Sequence, residues 1–502
     1  MVFASPTFLF VFLPLFLAGY FLLPARARSG WILVASWLFY GWWRFDFLLL
    51  LVATSVGAGI VGRKIATAES QRSKRLWLWL GVGLSLAVLG YFKYFNFAVD
   101  ALGRLSNVVG ASATGLERAW EVVLPVGISF FTFQIISYLV DVYRGAAVQA
   151  RGIVDVAAYV SLFPQLVAGP IVRYSEVAAQ LQQRTHSWDR FSAGAGRFVL
   201  GLVRKVLIAD AVAPIVNAVF AAESSGVLGS WLGLIAYTIQ IYFDFSAYSD
   251  MAIGLGTMIG FDFPENFRQP YRSTSITEFW RRWHITLSNW LRDYLYIPLG
   301  GNRHGRTRTL VNLMTVMVLA GLWHGAAWTF VVWGAWHGAW LIAERLLRVR
   351  VPDRAPAASA LAIVRVTQAD DPYRSERGQH PRLSPRFGKR LATAIASLAK
   401  RGYTLAVVMI GWVFFRAGDF AAALRLLRNM TGSEGFGVPA TLQWQLDVGA
   451  IAGLVAGVLL IAIEPRLLGN GSKRPLLLAL LFCLCVARLL VASYSPFLYF
   501  QF

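Results

Sequence analysis

Apolar runs of span length alternate with basic loops along the first part of the chain. Residues 7–23 form the first run, and Arg26 and Arg28 follow it. The runs 31–43 and 45–61 come next and are closed by the basic stretch 63–75. Residues 76–99 then leave, 100–121 carry few positive charges, 122–140 return, and Arg144 and Arg151 stand after them. Positive residues favour the cytoplasmic side, so this order predicts an N-terminus outside, basic loops inside and a helical hairpin over 31–61. The basic residues follow the first run and do not precede it, which reads as a retained span and not a cleaved signal peptide.

The middle is less regular. Residues 154–171 contain Pro164, Gly169 and Pro170, which argues against one straight helix and for a re-entrant segment enclosed by protein. Residues 174–205 are polar and basic and are predicted to be cytoplasmic, followed by apolar runs at 206–220 and 228–245. The stretch 268–308 is basic but rich in aromatics. Within it Trp283, Leu287, Trp290 and Tyr294 repeat at helical spacing while Arg281, Arg282 and Arg292 lie elsewhere, which predicts one amphipathic helix at or within the cytoplasmic interface. Residues 310–343 hold no Asp, Glu, Lys or Arg and are predicted to be membrane-embedded. Residues 345–401 are basic and proline-rich, predicting a poorly ordered cytoplasmic connection. Three more runs follow at 403–415, 448–463 and 475–492, before an aromatic tail, 496–502, expected at an interface. The pattern predicts an all-α polytopic protein, with about 9–12 membrane helices at roughly 20 residues each plus re-entrant and interfacial helices. Residues 1–502 are expected to form a single membrane domain.

Composition sharpens this. Of 502 residues, 57% are hydrophobic and 15% charged, a balance foreign to soluble proteins. The net charge is +21, but the basic residues are scattered among apolar runs. That distribution fits loops facing anionic lipid and argues against nucleic acid as a partner. Cys483 and Cys485 lie two apart in an apolar run, so they point in different directions on a helix and are not expected to pair.

The chemistry is expected at histidines. His324 lies deep in 310–343, where an ionisable side chain is costly and a functional hypothesis by default. Histidine also exchanges a proton near neutral pH, which suits general base work. His284 lies on the predicted amphipathic helix, and its functional and merely structural readings weigh evenly. His337 has small neighbours, Gly334, Gly338 and Ala339, that close helix packing explains, so it ranks third. His186, His304 and His380 fall in polar or turn-rich loops and receive no role. There is no HExxH zinc spacing and no GxSxG elbow, so neither a metal site nor a serine triad is indicated. Asp244 and Asp250 need partners at membrane depth, and the arginines of 268–308 are the candidates. Two other classes stay open: a transporter using these groups as a proton relay, and a non-catalytic scaffold.

The chain resembles the membrane-bound O-acyltransferase family, and within it the membrane subunits that O-acetylate exported polysaccharides such as alginate. The resemblance runs over nearly the whole chain. It rests on the opening MVFASPTFLFVFLPLF, LPVGISFFTFQIISYLVDVYRG (124–145), FPQLVAGPIVR (163–173), YFDFSAYSDMAIGLG (242–256), ENFRQPY (265–271), SITEFWRRWHITLSNWLRDYLYIPLGGNR (275–303), GLWHGAAWTFVVWGAWHG (321–338) and the tail SPFLYFQF. It implies a ring of helices around a central funnel, a catalytic histidine at His324 and a second functional position at His284. It also implies acyl transfer to a hydroxyl across the bacterial inner membrane, with no cofactor held. Acetyl-CoA is the implied acetyl donor, its phosphates drawn to Arg281, Arg282 and Arg303, although anchoring at anionic lipid explains these arginines equally well. The implied partners are periplasmic O-acetylation proteins and a polysaccharide synthesis and export complex. Cellulose and peptidoglycan are alternative acceptors. The long 345–401 connection departs from the pattern and puts the identity of the polymer in doubt.

Overall fold

The computed structural model describes residues 1–108, 121–147, 150–349, 386–467, 475–491 and 497–498. The chain is an all-α, multi-pass membrane protein, and no strand occurs among the described residues. Phe45–Thr67, Gln71–Ser106, Gly226–Met258 and Ala394–Arg416 are each long and apolar enough to cross a bilayer. Phe8–Leu22, Val448–Ile463 and Pro475–Val491 are shorter apolar helices.

The expected hairpin is Ala25–Gly41 followed by Phe45–Thr67. At about 1.5 Å of rise per residue, the second helix sets the turn 42–44 and the turn 68–70 at opposite ends of the molecule. The return helix is Ile128–Arg144. It begins at the 42–44 end, where Tyr40 donates to the Val126 carbonyl at 2.9 Å. It starts later than its apolar run because Gly127 holds φ +80°, and a Cβ there would lie 2.6 Å from the Leu166 carbonyl oxygen.

The segment around Pro164 is broken. Ile153–Ser161 and Phe163–Leu166 are helical, and 167–173 are not. Every residue over 156–172 is buried, and the freed backbone groups find partners inside the protein. Phe163 N–H donates to Ser36 Oγ at 3.1 Å, Tyr159 donates to the Val172 carbonyl at 2.9 Å, and Ile171 N–H donates to Thr286 Oγ1 at 2.9 Å. Non-helical backbone at depth requires that enclosure.

The polar stretch 174–205 is exposed over most of 182–193, and beyond that it packs against the protein. Trp188–Arg204 is a helix that continues through a π-turn, Lys205–Ala209, into Asp210–Ala221. It lies tightly along Gly226–Met258, and a Cβ on Gly194 would stand 2.6 Å from the Gly254 carbonyl oxygen. Its basic residues face that contact, because the acids they neutralise sit on the facing helix and the loop beyond it. Arg197 reaches Asp250 and Glu265, each at 2.7 Å. Arg204 reaches Asp250 at 2.6 Å, and Lys205 reaches Asp244 at 2.6 Å. Both aspartates are therefore paired, but with this helix and not with the arginines of 268–308.

Further along, 310–343 is a hairpin, Gly305–His324 followed by Trp328–Val349. The last part of the predicted 345–401 connection is helical, since Arg386–Arg416 is one helix. Residues 350–385, with His380, lie outside the described residues. Cys483 and Cys485 are unpaired thiols. The described part of the tail is inside the protein and not at an interface: Phe497 is buried in edge contact with Tyr248, and Leu498 N–H donates to Asp244 Oδ2 at 2.9 Å. Two apolar cores result. One gathers the first half of the chain with Leu287, Trp290 and Trp323. The other gathers the second half with Trp283, Trp333 and Phe415. His284 and His324 each stand where residues of the two cores meet.

Candidate functional site

The amphipathic helix predicted within 268–308 is broken at His284. Ile276–Arg282 starts from the Ser275 cap, whose hydroxyl accepts from Glu278 N–H at 3.0 Å, an ordinary N-cap. Glu344 accepts from the first turn as well, from Ile276 N–H at 2.6 Å and Thr277 N–H at 2.9 Å. A second helix, Ile285–Leu291, begins directly after His284. His284 itself takes the left-handed conformation, φ +43°. A bulky residue holds that conformation only when its surroundings dictate it, and such strain gathers at functional sites. Here the surroundings are the 266–268 strip: Arg268 N–H donates to the Arg282 carbonyl at 2.9 Å, and Ile285 N–H donates to the Asn266 carbonyl at 2.9 Å. The stripe of Trp283, Leu287 and Trp290 is buried in protein. His284 is therefore a fully enclosed residue and not an interfacial one.

His324 is the last residue of Gly305–His324. Its ring lies between aromatic neighbours, 5.2 Å from the Trp333 centroid and 5.1 Å from that of Phe415. The two histidine rings are 6.4 Å apart. The carbonyls at this helix end are held by Lys93, an apolar-run lysine from Gln71–Val108. Its ammonium donates to the Trp323 carbonyl, to the His324 carbonyl at 3.3 Å and to Ser129 Oγ at 3.3 Å. A cation at a helix C-terminus meets both the unpaired carbonyls and the helix dipole.

Two cavities approach this pair from different ends. One, of about 310 Å³, is lined by Trp43, Lys93, Gly127, Ser129, Trp323 and His324. It opens at the 42–44 end. The other, of about 440 Å³, is lined by Arg197, Arg204, Asp250, Glu265, Asn266, Arg268 and Arg282 among others. It lies along the half of Gly226–Met258 that leads to the opposite end. Between them stand His284, hydrogen-bonded through Nδ1 to Asn266 Oδ1 at 3.1 Å, and His324.

Of the arginines singled out in the sequence, Arg282 lines the second cavity, while Arg281 and Arg303 are exposed and do not. Arg282 also holds Glu278 at 2.7 Å. His337 is buried among Trp280, Trp333 and Trp412, with no hydrogen-bond partner among the described residues. His304 is exposed. His186, also exposed, stands 2.9 Å from the Tyr20 hydroxyl. Lys93, Asn266, Arg197 and Arg204 escaped the sequence reading. Lys93 carried a usable signal, a lone cation inside an apolar run.

No cluster of three or more metal-ligating side chains occurs among the described residues.

The chain is similar to known proteins. Residues 142–359 match the model of the membrane-bound O-acyltransferase family, MBOAT. The protein named "Probable alginate O-acetylase AlgI" of Azotobacter vinelandii is 42% identical over the full length of both chains. The "Peptidoglycan O-acetyltransferase" of Helicobacter pylori is 34% identical over 87% of this chain and 80% of its own. The "Teichoic acid D-alanyltransferase" of Bacillus subtilis is 27% identical over 42% of this chain and 56% of its own. Full-length identity at this level, with the family match across both histidines, means that the chain is an acyltransferase of the membrane-bound O-acyltransferase family.

Proposed function

We propose that this protein passes an acetyl group across the bacterial inner membrane for O-acetylation of an exported polysaccharide, alginate first among the candidates. The observation that carries the reading is the placement of the His284–His324 pair between two cavities from two ends of the molecule, one bordered by His324 and the other by Asn266, which is hydrogen-bonded to His284. A donor bound at one end and a hydroxyl acceptor at the other reach a common reacting centre without either crossing the membrane. Relatives named as alginate O-acetylases support the acetyl group and the acceptor. The relative named as a peptidoglycan O-acetyltransferase makes peptidoglycan the alternative acceptor.

The donor end is the arginine-lined cavity. Its Arg197 and Arg204 are already matched by Asp250 and Glu265, and Arg282 is shared with Glu278, so Arg268 is the better candidate for donor phosphates, with Arg282 beside it. Acetyl-CoA fits this chemistry. At the other end, His324 borders the cavity an acceptor would enter. The acceptor oxygen attacks the thioester carbonyl carbon, its proton passes to His324, the C–S bond breaks, and the thiolate leaves. A hydroxyl attacks slowly unless a base takes its proton as the bond forms. The acetylated acceptor is then released to periplasmic O-acetylation proteins. The test is transfer of label from [14C]acetyl-CoA to an exported polymer in membranes holding the full chain. Labelled polymer is the expected result. Labelling from a different acyl carrier only would remove acetyl-CoA as donor, and no dependence on this chain would remove the transfer reading.

A further inference from the structure

Asn266 stands between the donor-side cavity, which it lines, and His284, to which it is hydrogen-bonded. It is fully buried, yet it lines that cavity. The loop carrying it bends sharply nearby, with Gln269 at φ +50°, and packs against the left-handed His284. Every polar atom of the Asn266 side chain is used. Nδ2 donates to Ser249 Oγ at 3.0 Å and to the Gly169 carbonyl at 3.4 Å. Oδ1 accepts from Thr286 Oγ1 at 2.9 Å and from Thr286 N–H at 3.4 Å, and it faces His284 Nδ1 at 3.1 Å.

The directions of these bonds follow from groups with only one possible role. A carbonyl oxygen only accepts, so the atom facing Gly169 is the amide nitrogen. A backbone N–H only donates, so the atom facing Thr286 N is the amide oxygen. Ile171 N–H occupies a lone pair of Thr286 Oγ1, and the Thr286 hydroxyl proton points on to Asn266. The amide of Asn266 is thus oriented from three sides, with its oxygen toward His284. An oxygen there requires a proton on Nδ1. In a neutral imidazole the other nitrogen is then an acceptor, and His284 Nε2 has no hydrogen-bond partner among the described residues.

We infer that Asn266 is a positioning residue that fixes His284 as the Nδ1–H tautomer, so that Nε2 presents a lone pair to the reacting centre. The assignment rests on the acyl-transfer reading for its function, though not for its geometry. It excludes one role for neutral His284: Nε2 does not donate to the oxyanion of a tetrahedral intermediate. It accepts a hydrogen bond instead, beside the His324 ring at which the proton arrives. Because Asn266 also lines the donor cavity, a donor seated there touches the residue that sets the tautomer.

The test uses full-length protein in lipid with 15N-labelled histidine, the His284 signal being identified by its loss in His284→Gln. Wild type is expected to show a protonated Nδ1 and an unprotonated Nε2, and the reverse overturns the proposal. Asn266→Asp keeps an acceptor oxygen and is expected to retain the tautomer, while moving the acidic limb of acetyl transfer to higher pH because a carboxylate favours the imidazolium. Asn266→Leu removes the oxygen and is expected to give mixed tautomers and transfer slowed on the order of 10- to 100-fold, by analogy with the loss of the group that orients a metal-bound histidine. An unchanged tautomer in Asn266→Leu overturns the role given to Asn266. Should Asn266→Leu not accumulate, an unshifted pH limb in Asn266→Asp overturns it. Wild-type transfer by His284→Gln would instead sink the acyl-transfer role of the histidine pair, and the wild-type tautomer would still decide the Asn266 assignment.

Discussion

Lys205 Nζ stands 2.6 Å from Asp244 Oδ1, and each side chain is only 2% exposed. Asp210 flanks the same ammonium at 2.7 Å, and Asp244 Oδ2 accepts from Leu498 N–H at 2.9 Å. One ion pair thus joins the basic helix, the central helix and the C-terminal tail.

Breaking such a pair from one side leaves a buried charge poorly matched, which costs about 3–5 kcal/mol, whereas replacing both partners by apolar residues is often neutral. Asp244→Leu is therefore expected to lower thermal unfolding sharply in detergent, and Lys205→Met/Asp244→Leu to recover part of the loss, since Asp210 loses Lys205 and Leu498 N–H loses its acceptor. If the double variant is as unstable as the sum of the single ones, the two residues are not energetically coupled.

The fold class was legible because hydrophobic run length and the order of basic loops report directly on membrane helices. The hairpin ending at Thr67 and the broken segment at Pro164 followed from those signals alone. What misled was charge in the middle of the chain. Composition makes 174–205 read as a polar cytoplasmic stretch, yet Arg197, Arg204 and Lys205 face acids that lie 39 to 68 positions further along the chain, and no local pattern encodes a tertiary partner. The helical spacing of Trp283, Leu287 and Trp290 was likewise real but spanned a break, because the φ of His284 is set by Asn266 across the chain. His324 was visible from depth alone. Its nearness to His284 is a product of packing, which no periodicity in the chain encodes.

Lys93 is expected to matter through the helix it caps. A cation in a partly buried position at a helix C-terminus contributes up to about 2 kcal/mol. Lys93→Met keeps the length of the side chain and removes its charge. Both the unfolding temperature and acetyl transfer should fall, since His324 is the final residue of the capped helix. A variant with wild-type stability and transfer would show that the carbonyls at this helix end need no cation.

Topology is open to a direct check. In a Cys483→Ala/Cys485→Ala background, Arg44→Cys and Ser70→Cys place single thiols at exposed turns on either end of Phe45–Thr67. The positive-inside bias puts the 68–70 turn in the cytoplasm. A membrane-impermeant maleimide added to spheroplasts should label Arg44→Cys at once, and Ser70→Cys only after the membrane is opened. The reverse order would invert the orientation and exchange the donor and acceptor ends.

The decisive variant is His324→Ala. His324 borders the cavity at the 42–44 end, packs against Trp333 and Phe415, and is the imidazole an entering hydroxyl would meet. Loss of a general base slows a reaction by about 100- to 10,000-fold, which in a cell reads as polymer without acetyl groups. His284→Ala should also lower transfer, because it removes the second imidazole of the pair. His337→Ala separates chemistry from packing: its ring touches Trp333, which also touches His324, so any loss there should follow protein level and stability. With membrane abundance matched by immunoblot, the polymer's acetyl content is expected to vanish for His324→Ala, fall for His284→Ala and stay near normal for His337→Ala. Normal acetyl content with His324→Ala would remove that imidazole from the reaction and leave the chain as a scaffold for another transferase.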